Sequence, residues 1–164
     1  MLNDELRVNS GLTYGAGSRF NNLKNGGSFL ISTFTDSKTT EPAIDKALEV
    51  LKNLHAKGID EKALASAKNY VKGQFPPDYE TTEQLAGLLS QMFWYNLDKS
   101  FIDNFEKNVD SLDLAKANQI IAKYFPKDKL QFVIIGKSEE IKNIAEKYGK
   151  VTEVEISDEI KKMK

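Results

Sequence analysis

The sequence predicts an α+β fold, a two-layer sandwich in which helices pack on one face of a sheet that is short of N-terminal strands. Three observations predict it. The strand candidate Thr13 to Phe20 and the alternating Ser28 to Thr35 flank Asn25-Gly26, a strong turn dipeptide, so residues 13–35 read as an antiparallel hairpin. A run of helical patterns follows without a strand between them. Leu130 to Ile135 then reads as a strand, followed by one more helix and a last strand, so there is no regular βαβ alternation.

Each element has a local reason. Leu2 and Leu6 sit four residues apart, so the chain opens inside a helical pattern, which Asn9-Ser10-Gly11 breaks. Gly11 suits a left-handed C-terminal cap. Thr13 to Phe20 and Ser28 to Thr35 are the hairpin strands, with Phe29, Ile31 and Thr33 on one face of the second. Thr40 caps the next helix and Pro42 sits in its first turn. Ala43, Ile44, Ala47, Leu48, Leu51 and Leu54 form its apolar stripe, and Gly58 ends it. Asp60 caps a second helix, with Ile59 and Leu64 placed as a hydrophobic staple; Pro76-Pro77 stops that helix. Thr81 and Gln84 form a capping box ahead of Leu85 to Phe93. Asp98 and Ser111 open two further helices.

The tail follows the same logic. Leu130 to Ile135 is almost continuously apolar, as in a strand buried on both faces. Ser138 caps a helix carrying Ile141, Ile144 and Ala145, and Val151 to Ile156 is the last strand. Lys161, Lys162 and Lys164 read as a solvated end. The 164 residues fit a single domain, residues 1–164. Its opening in mid-helix and its few strands lead us to expect a domain cut from a longer chain.

Composition narrows the function classes. Lys plus Arg number 23 and Asp plus Glu 24, for a net charge of −1, which gives no global attraction to nucleic acid or anionic membrane. No segment approaches the roughly 20 apolar residues of a membrane helix. The N-terminus carries no signal-peptide pattern, and cell-envelope and cytoplasmic locations both fit. Cysteine is absent, which removes disulfides, thiolate metal sites and a cysteine nucleophile.

The single histidine, His55, lies in the last turn of a helix, where a surface imidazole is favoured by the helix dipole. A zinc site built on one histidine and no cysteine would need several carboxylates, and no cluster in the sequence has such spacing. Gly15-x-Gly17 lacks the third glycine and the following helix of a phosphate loop. Met92-Phe93-Trp94-Tyr95 surrounds its helix, so part of it faces outward, as core with an interdomain contact or as an apolar wall for a peptide. Lys68 and Lys72 read as a solvated helix end. On spacing alone, Arg7 reads as a surface helix charge and Tyr14 as a half-buried strand aromatic.

Leu6-Arg7-Val8-Asn9-Ser10-Gly11-Leu12-Thr13-Tyr14 resembles the Leu-Arg-x-x-x-Gly-Leu-x-Tyr signature of insulinase/pitrilysin-type and mitochondrial-processing peptidases. Gly58-Ile59-Asp60 to Lys68, Glu80 to Leu89, Val109 to Tyr124, Leu130 to Gly136 and Gly149-Lys150-Val151 resemble later segments of that family in order. The resemblance implies a clam-shell of two similar halves. One half carries zinc on an inverted His-x-x-Glu-His motif, which this sequence lacks. The other half has no metal and supplies an Arg and a Tyr seven positions apart, matched here by Arg7 and Tyr14.

The expected function is therefore the substrate-binding, zinc-free part of a two-half metallopeptidase. Arg7 and Tyr14 bind substrate, and Tyr14 donates a hydrogen bond in the transition state. The resemblance implies that this chain holds no cofactor and that zinc sits in a partner half of the same family. The expected ligand is a peptide. The chain alone is expected to be inactive, and to self-associate in isolation. The alternative is a catalytically silent scaffold or assembly subunit of the same fold.

Overall fold

The computed structural model describes residues 1–75 and 79–155. The chain divides into two compact units, one of residues 1–19, 31–51 and Asp128 onward, the other of residues 20–30 and 52–127.

In the first unit, Asp4–Asn9 is a π-helix, where an ordinary helix end was expected. Leu6 anchors it and is fully buried. The wide turn closes on Gly11, whose φ of 61° is left-handed and therefore suited to glycine. The Gly11 N–H donates to the Arg7 carbonyl at 3.1 Å, and the Leu12 N–H donates to the Leu6 carbonyl at 2.9 Å. These bonds satisfy carbonyls that every helix end leaves open.

Strands β1 (Ala16–Leu23) and β2 (Gly26–Thr33) form a two-stranded antiparallel sheet. β1 starts later than the expected Thr13, and the turn is Lys24-Asn25 rather than Asn25-Gly26. Asp36 caps a short 3₁₀ turn, Ser37–Thr39, by accepting from the Lys38 N–H at 2.9 Å. This turn leads into α1 (Thr40–Lys57). Thr40 is thus the first residue of the helix rather than its cap, and it is buried. Ala43, Leu51 and Ile141 are the other buried residues of this unit besides Leu6.

Three expectations about the tail are corrected. Residues 130–135 form no strand, and they are not buried: Val133 is 88% exposed and Ile135 81%. A continuous apolar run specifies a buried strand only if neighbouring strands offer hydrogen bonds. Among the described residues the sheet ends at β1 and β2. Residues 151–155 likewise form no strand, and Ile156 and the terminal lysines lie outside the described residues. The last helix (Ser138–Ala145) has no side-chain cap, so Ser138 begins it without capping it. Tyr148 follows that helix. Its hydroxyl donates to the Asp45 carboxylate at 2.8 Å and lies 3.2 Å from the Glu41 carbonyl, and Lys147 pairs with the Glu41 carboxylate.

The second unit contains α2 (Glu61–Gln74), α3 (Thr82–Tyr95), α4 (Ser100–Asp103), α5 (Phe105–Asp110) and α6 (Leu114–Tyr124); in chain order the last helix is α7. The Asp60 cap and the Thr81–Gln84 capping box both form. α6 is capped by Asp113, which accepts from the Lys116 N–H, rather than by Ser111. Among the described residues of this unit, Leu64, Leu88, Met92, Ala117 and Ile121 are the buried apolar ones. Phe20 and Phe29 lie across the hairpin from one another and meet Phe125, with all three ring centres 4.9–5.1 Å apart. Phe75 stacks on Phe105 at 3.7 Å. Pro76 and Pro77 lie outside the described residues.

Three polar side chains do more here than their sequence positions suggest. Asn118 accepts from the Ile59 N–H at 2.9 Å, holding the turn in which Gly58 takes a left-handed φ of 66°. His55 is half-buried, not a surface residue, and its Nε2 lies 3.2 Å from the Pro126 carbonyl. Lys68 and Lys72 are not merely solvated: Lys68 donates to the Asp110 carbonyl at 2.9 Å and Lys72 to its carboxylate at 2.7 Å. Two ammonium groups thus sit at the negative end of α5.

Candidate functional site

The loop from Gly11 to Gly15, between the π-helix and β1, brings the two signature residues together. The guanidinium carbon of Arg7 lies 5.3 Å from the centre of the Tyr14 ring, within the range of a cation–π contact. Tyr14 lies outside β1 and is 90% exposed, so it is not the half-buried strand aromatic that spacing alone suggests. Arg7 is exposed as well. The chain positions them from below: Leu6 is sunk beside Arg7, and the left-handed Gly11 turns the backbone towards Tyr14.

Tyr14 borders an open, shallow cleft of about 450 Å³. Gly11 to Tyr14 form one side of the cleft and Phe34 to Asp36 the other. Phe34 is also 90% exposed, so a phenol and an apolar ring both border the cleft. The sequence reading missed Phe34. Its signal was its place at the end of β2, on the face opposite Thr33 and Thr35.

Beneath the cleft lies a set of threonine hydroxyls that sequence reasoning also missed. The Thr13 hydroxyl donates to the Phe34 carbonyl at 2.6 Å and accepts from the Gly15 N–H at 3.1 Å. Thr33 reaches the Thr13 oxygen at 2.8 Å. Thr35 donates to the Leu12 carbonyl at 2.6 Å and lies 2.7 Å from the Thr39 hydroxyl. Threonine alternation at 33 and 35 was visible in the chain. Its partners at 13 and 39 become neighbours only through folding.

The aromatic segment of α3 divides as helical geometry requires. Met92 is buried, while Phe93, Trp94 and Tyr95 are exposed. Lys24 lies over the Trp94 ring at 4.7 Å, and the Tyr95 hydroxyl donates to the Asn22 carbonyl at 3.0 Å.

The resemblance associates zinc with the partner half of such proteins. Among the described residues no group of three His, Asp or Glu side chains is placed to hold a metal ion, and His55 is the only histidine. Among the described residues no helix is long and apolar enough to cross a membrane.

Residues 1–71, which include Arg7, Tyr14, the hairpin and α1, match the family model described as the peptidase M16 inactive domain. A crystal structure of a peptidase M16 inactive domain from Pseudomonas fluorescens is similar to this chain, with a TM-score of 0.71 and 26% identity. That likeness covers 78% of this chain but 30% of the other, so this chain spans less than a third of the matched protein. No curated protein matches. The family match over residues 1–71 and the structural likeness together bear out the resemblance read from the sequence: this chain is similar to the peptidase M16 inactive domain.

Proposed function

We propose that this chain is the substrate-gripping part of a two-half zinc metallopeptidase, with zinc held by a partner half of the same family and a peptide as the bound substrate. The observation that carries the proposal is the exposed Arg7–Tyr14 pair, whose tyrosine borders an open cleft. A surface that leaves a phenol and a guanidinium uncovered together suits recognition of peptide groups. In this reading residues 1–164 are the C-terminal portion of one such domain.

The chemistry assigns each residue a task. Peptide-bond hydrolysis places negative charge on the attacked carbonyl oxygen. A phenol hydroxyl aimed at that oxygen stabilises the charge as it develops, worth roughly 3–4 kcal/mol where such donors have been removed. Arg7 offers a planar fork of donors that matches peptide carbonyls or a carboxylate. Its guanidinium carbon lies 5.3 Å from the Tyr14 ring centre, which puts both groups within reach of one substrate.

The test is peptide hydrolysis by the zinc-loaded full-length parent, or by this chain with its zinc-bearing half, with and without Tyr14→Phe. We expect kcat to fall at least about tenfold, or roughly 1.4 kcal/mol, with the fold unchanged. No activity in any combination, or none lost in Tyr14→Phe, rejects the proposal in favour of a catalytically silent scaffold.

A further inference from the structure

We propose that Thr13 is the positioning residue for Tyr14, and that its hydroxyl sets where the phenol points; this rests on the function proposed above. A side chain that is 90% exposed has almost no packing to fix it. Apart from the Arg7 guanidinium over its ring, the placement of Tyr14 therefore comes from its backbone. That backbone is held from both sides by threonine hydroxyls, with Tyr14 itself left outside the set.

On one side, Thr35 donates to the Leu12 carbonyl at 2.6 Å. On the other, the Gly15 N–H donates to the Thr13 oxygen at 3.1 Å, and the Gly15 carbonyl lies 2.9 Å from Thr13 and 3.0 Å from the Thr33 hydroxyl. The Ala16 N–H, one residue further on, donates to the Asn3 amide oxygen at 3.2 Å. Thr13 is the centre of this set. Its hydroxyl has one proton, which goes to the Phe34 carbonyl at 2.6 Å, and its two lone pairs face the Gly15 N–H and the Thr33 hydroxyl. It thus ties Gly15 directly to the end of β2, across the loop that carries Tyr14.

This arrangement has a chemical requirement. The group at position 13 must donate and accept at once. Serine can do so. Valine, which has the same shape, can do neither, and it would leave the Phe34 carbonyl and the Gly15 N–H without these partners. A loop freed in this way lets the phenol drift, and a misplacement of about 1 Å can cost on the order of 10²-fold in rate.

The experiment compares Thr13→Val, Thr13→Ser, Tyr14→Phe and the Val/Phe double variant in the zinc-loaded full-length parent, alongside amide exchange at Gly15 by NMR. Thr13→Val should lower kcat at least about tenfold with KM little changed, and speed Gly15 exchange about tenfold. Thr13→Ser should restore both. The double variant should be no slower than Tyr14→Phe alone, because Thr13 acts only through Tyr14. Unchanged Gly15 exchange in Thr13→Val overturns the proposal, as does a loss of activity that is equally large in the Tyr14→Phe background. If Tyr14→Phe is itself silent, the proposed function fails while Gly15 exchange alone decides whether Thr13 holds the loop. Should Thr13→Val not fold, Thr33→Val, which removes the hydroxyl that reaches both Thr13 and the Gly15 carbonyl, reads the same exchange: a faster Gly15 exchange supports the threonine set as the loop's anchor, and an unchanged one overturns it.

Discussion

The Arg7 guanidinium carbon stands 5.3 Å from the Tyr14 ring centre, although the residues come from a π-helix and from the loop beyond it. Both are exposed, so the contact contributes little to stability, about 0.5–1 kcal/mol for a cation–π pair at such a site. Its importance is directional. Arg7→Lys keeps the charge but loses the planar fork. Under the function proposed above, kcat/KM of the zinc-loaded full-length parent should fall about tenfold, while the thermal midpoint of the chain moves little. Steady-state kinetics with a calorimetric scan on the same preparation checks both.

A second prediction concerns the turn between α1 and α2. The φ of 66° at Gly58 costs a residue with a Cβ about 1–2 kcal/mol, and that Cβ would also run into the Asn118 amide. Gly58→Ala should therefore destabilise by more than the backbone term alone. Asn118→Ala should cost roughly 1–3 kcal/mol by removing the acceptor for the Ile59 N–H. Urea denaturation midpoints of the two variants measure these losses.

Tyr148 gives a pH prediction. Burial, then the hydrogen bond to Asp45, then the charges of Asp45 and Glu41 raise its pKa well above the ordinary 10.0. The folded state therefore keeps the phenol proton after the unfolded state has lost it. The stabilisation is fully present below about pH 10 and declines as pH rises above that value. Tyr148→Phe should be less stable than the parent at neutral pH, and its stability should fall less steeply above pH 10. Chemical denaturation at pH 7 to 11 tests this, and parallel curves would rule it out.

Much of the helical architecture was legible because its signals are local. Asp60 and the Thr81–Gln84 box cap their helices as their spacing predicted, and Gly11 takes the left-handed φ expected of it. What failed depended on partners distant in sequence. Residues 130–135 look like a buried strand, but a strand exists only beside another strand. Tyr14 and Arg7 were legible as a pair through the family signature, yet neither the exposure of Tyr14 nor the neighbouring Phe34 could be read from spacing. The hydroxyls of Thr13, Thr33, Thr35 and Thr39 are scattered in the chain, and nothing local announces their meeting. The π-helix was likewise invisible, because a wide turn differs from an α-turn in hydrogen-bond register rather than in composition.

The exposed run at 130–135 also predicts behaviour in solution. Val133 and Ile135 place apolar side chains in water beside backbone groups that no strand covers among the described residues. Such a segment invites pairing with another copy. Light scattering on the isolated chain should give a mass above that of a monomer. Val133→Lys with Ile135→Lys should bring it towards the mass of one chain, and a monodisperse monomer before mutation would refute the expectation.

The wide turn at Asp4–Asn9 bears on how relatives of this chain are found. A π-turn takes in one residue more than an α-turn, so a relative that keeps the same buried leucine, arginine and tyrosine on an α-turn would be one residue shorter between the first and the last of them. A comparison of sequences would register this as a gap in the middle of the signature and penalise it, although the two side chains still reached the same place. Searches that fix the seven-residue interval will pass over such proteins. Searches that require a buried anchor, a left-handed residue and an outward-facing phenol, in that order, will not.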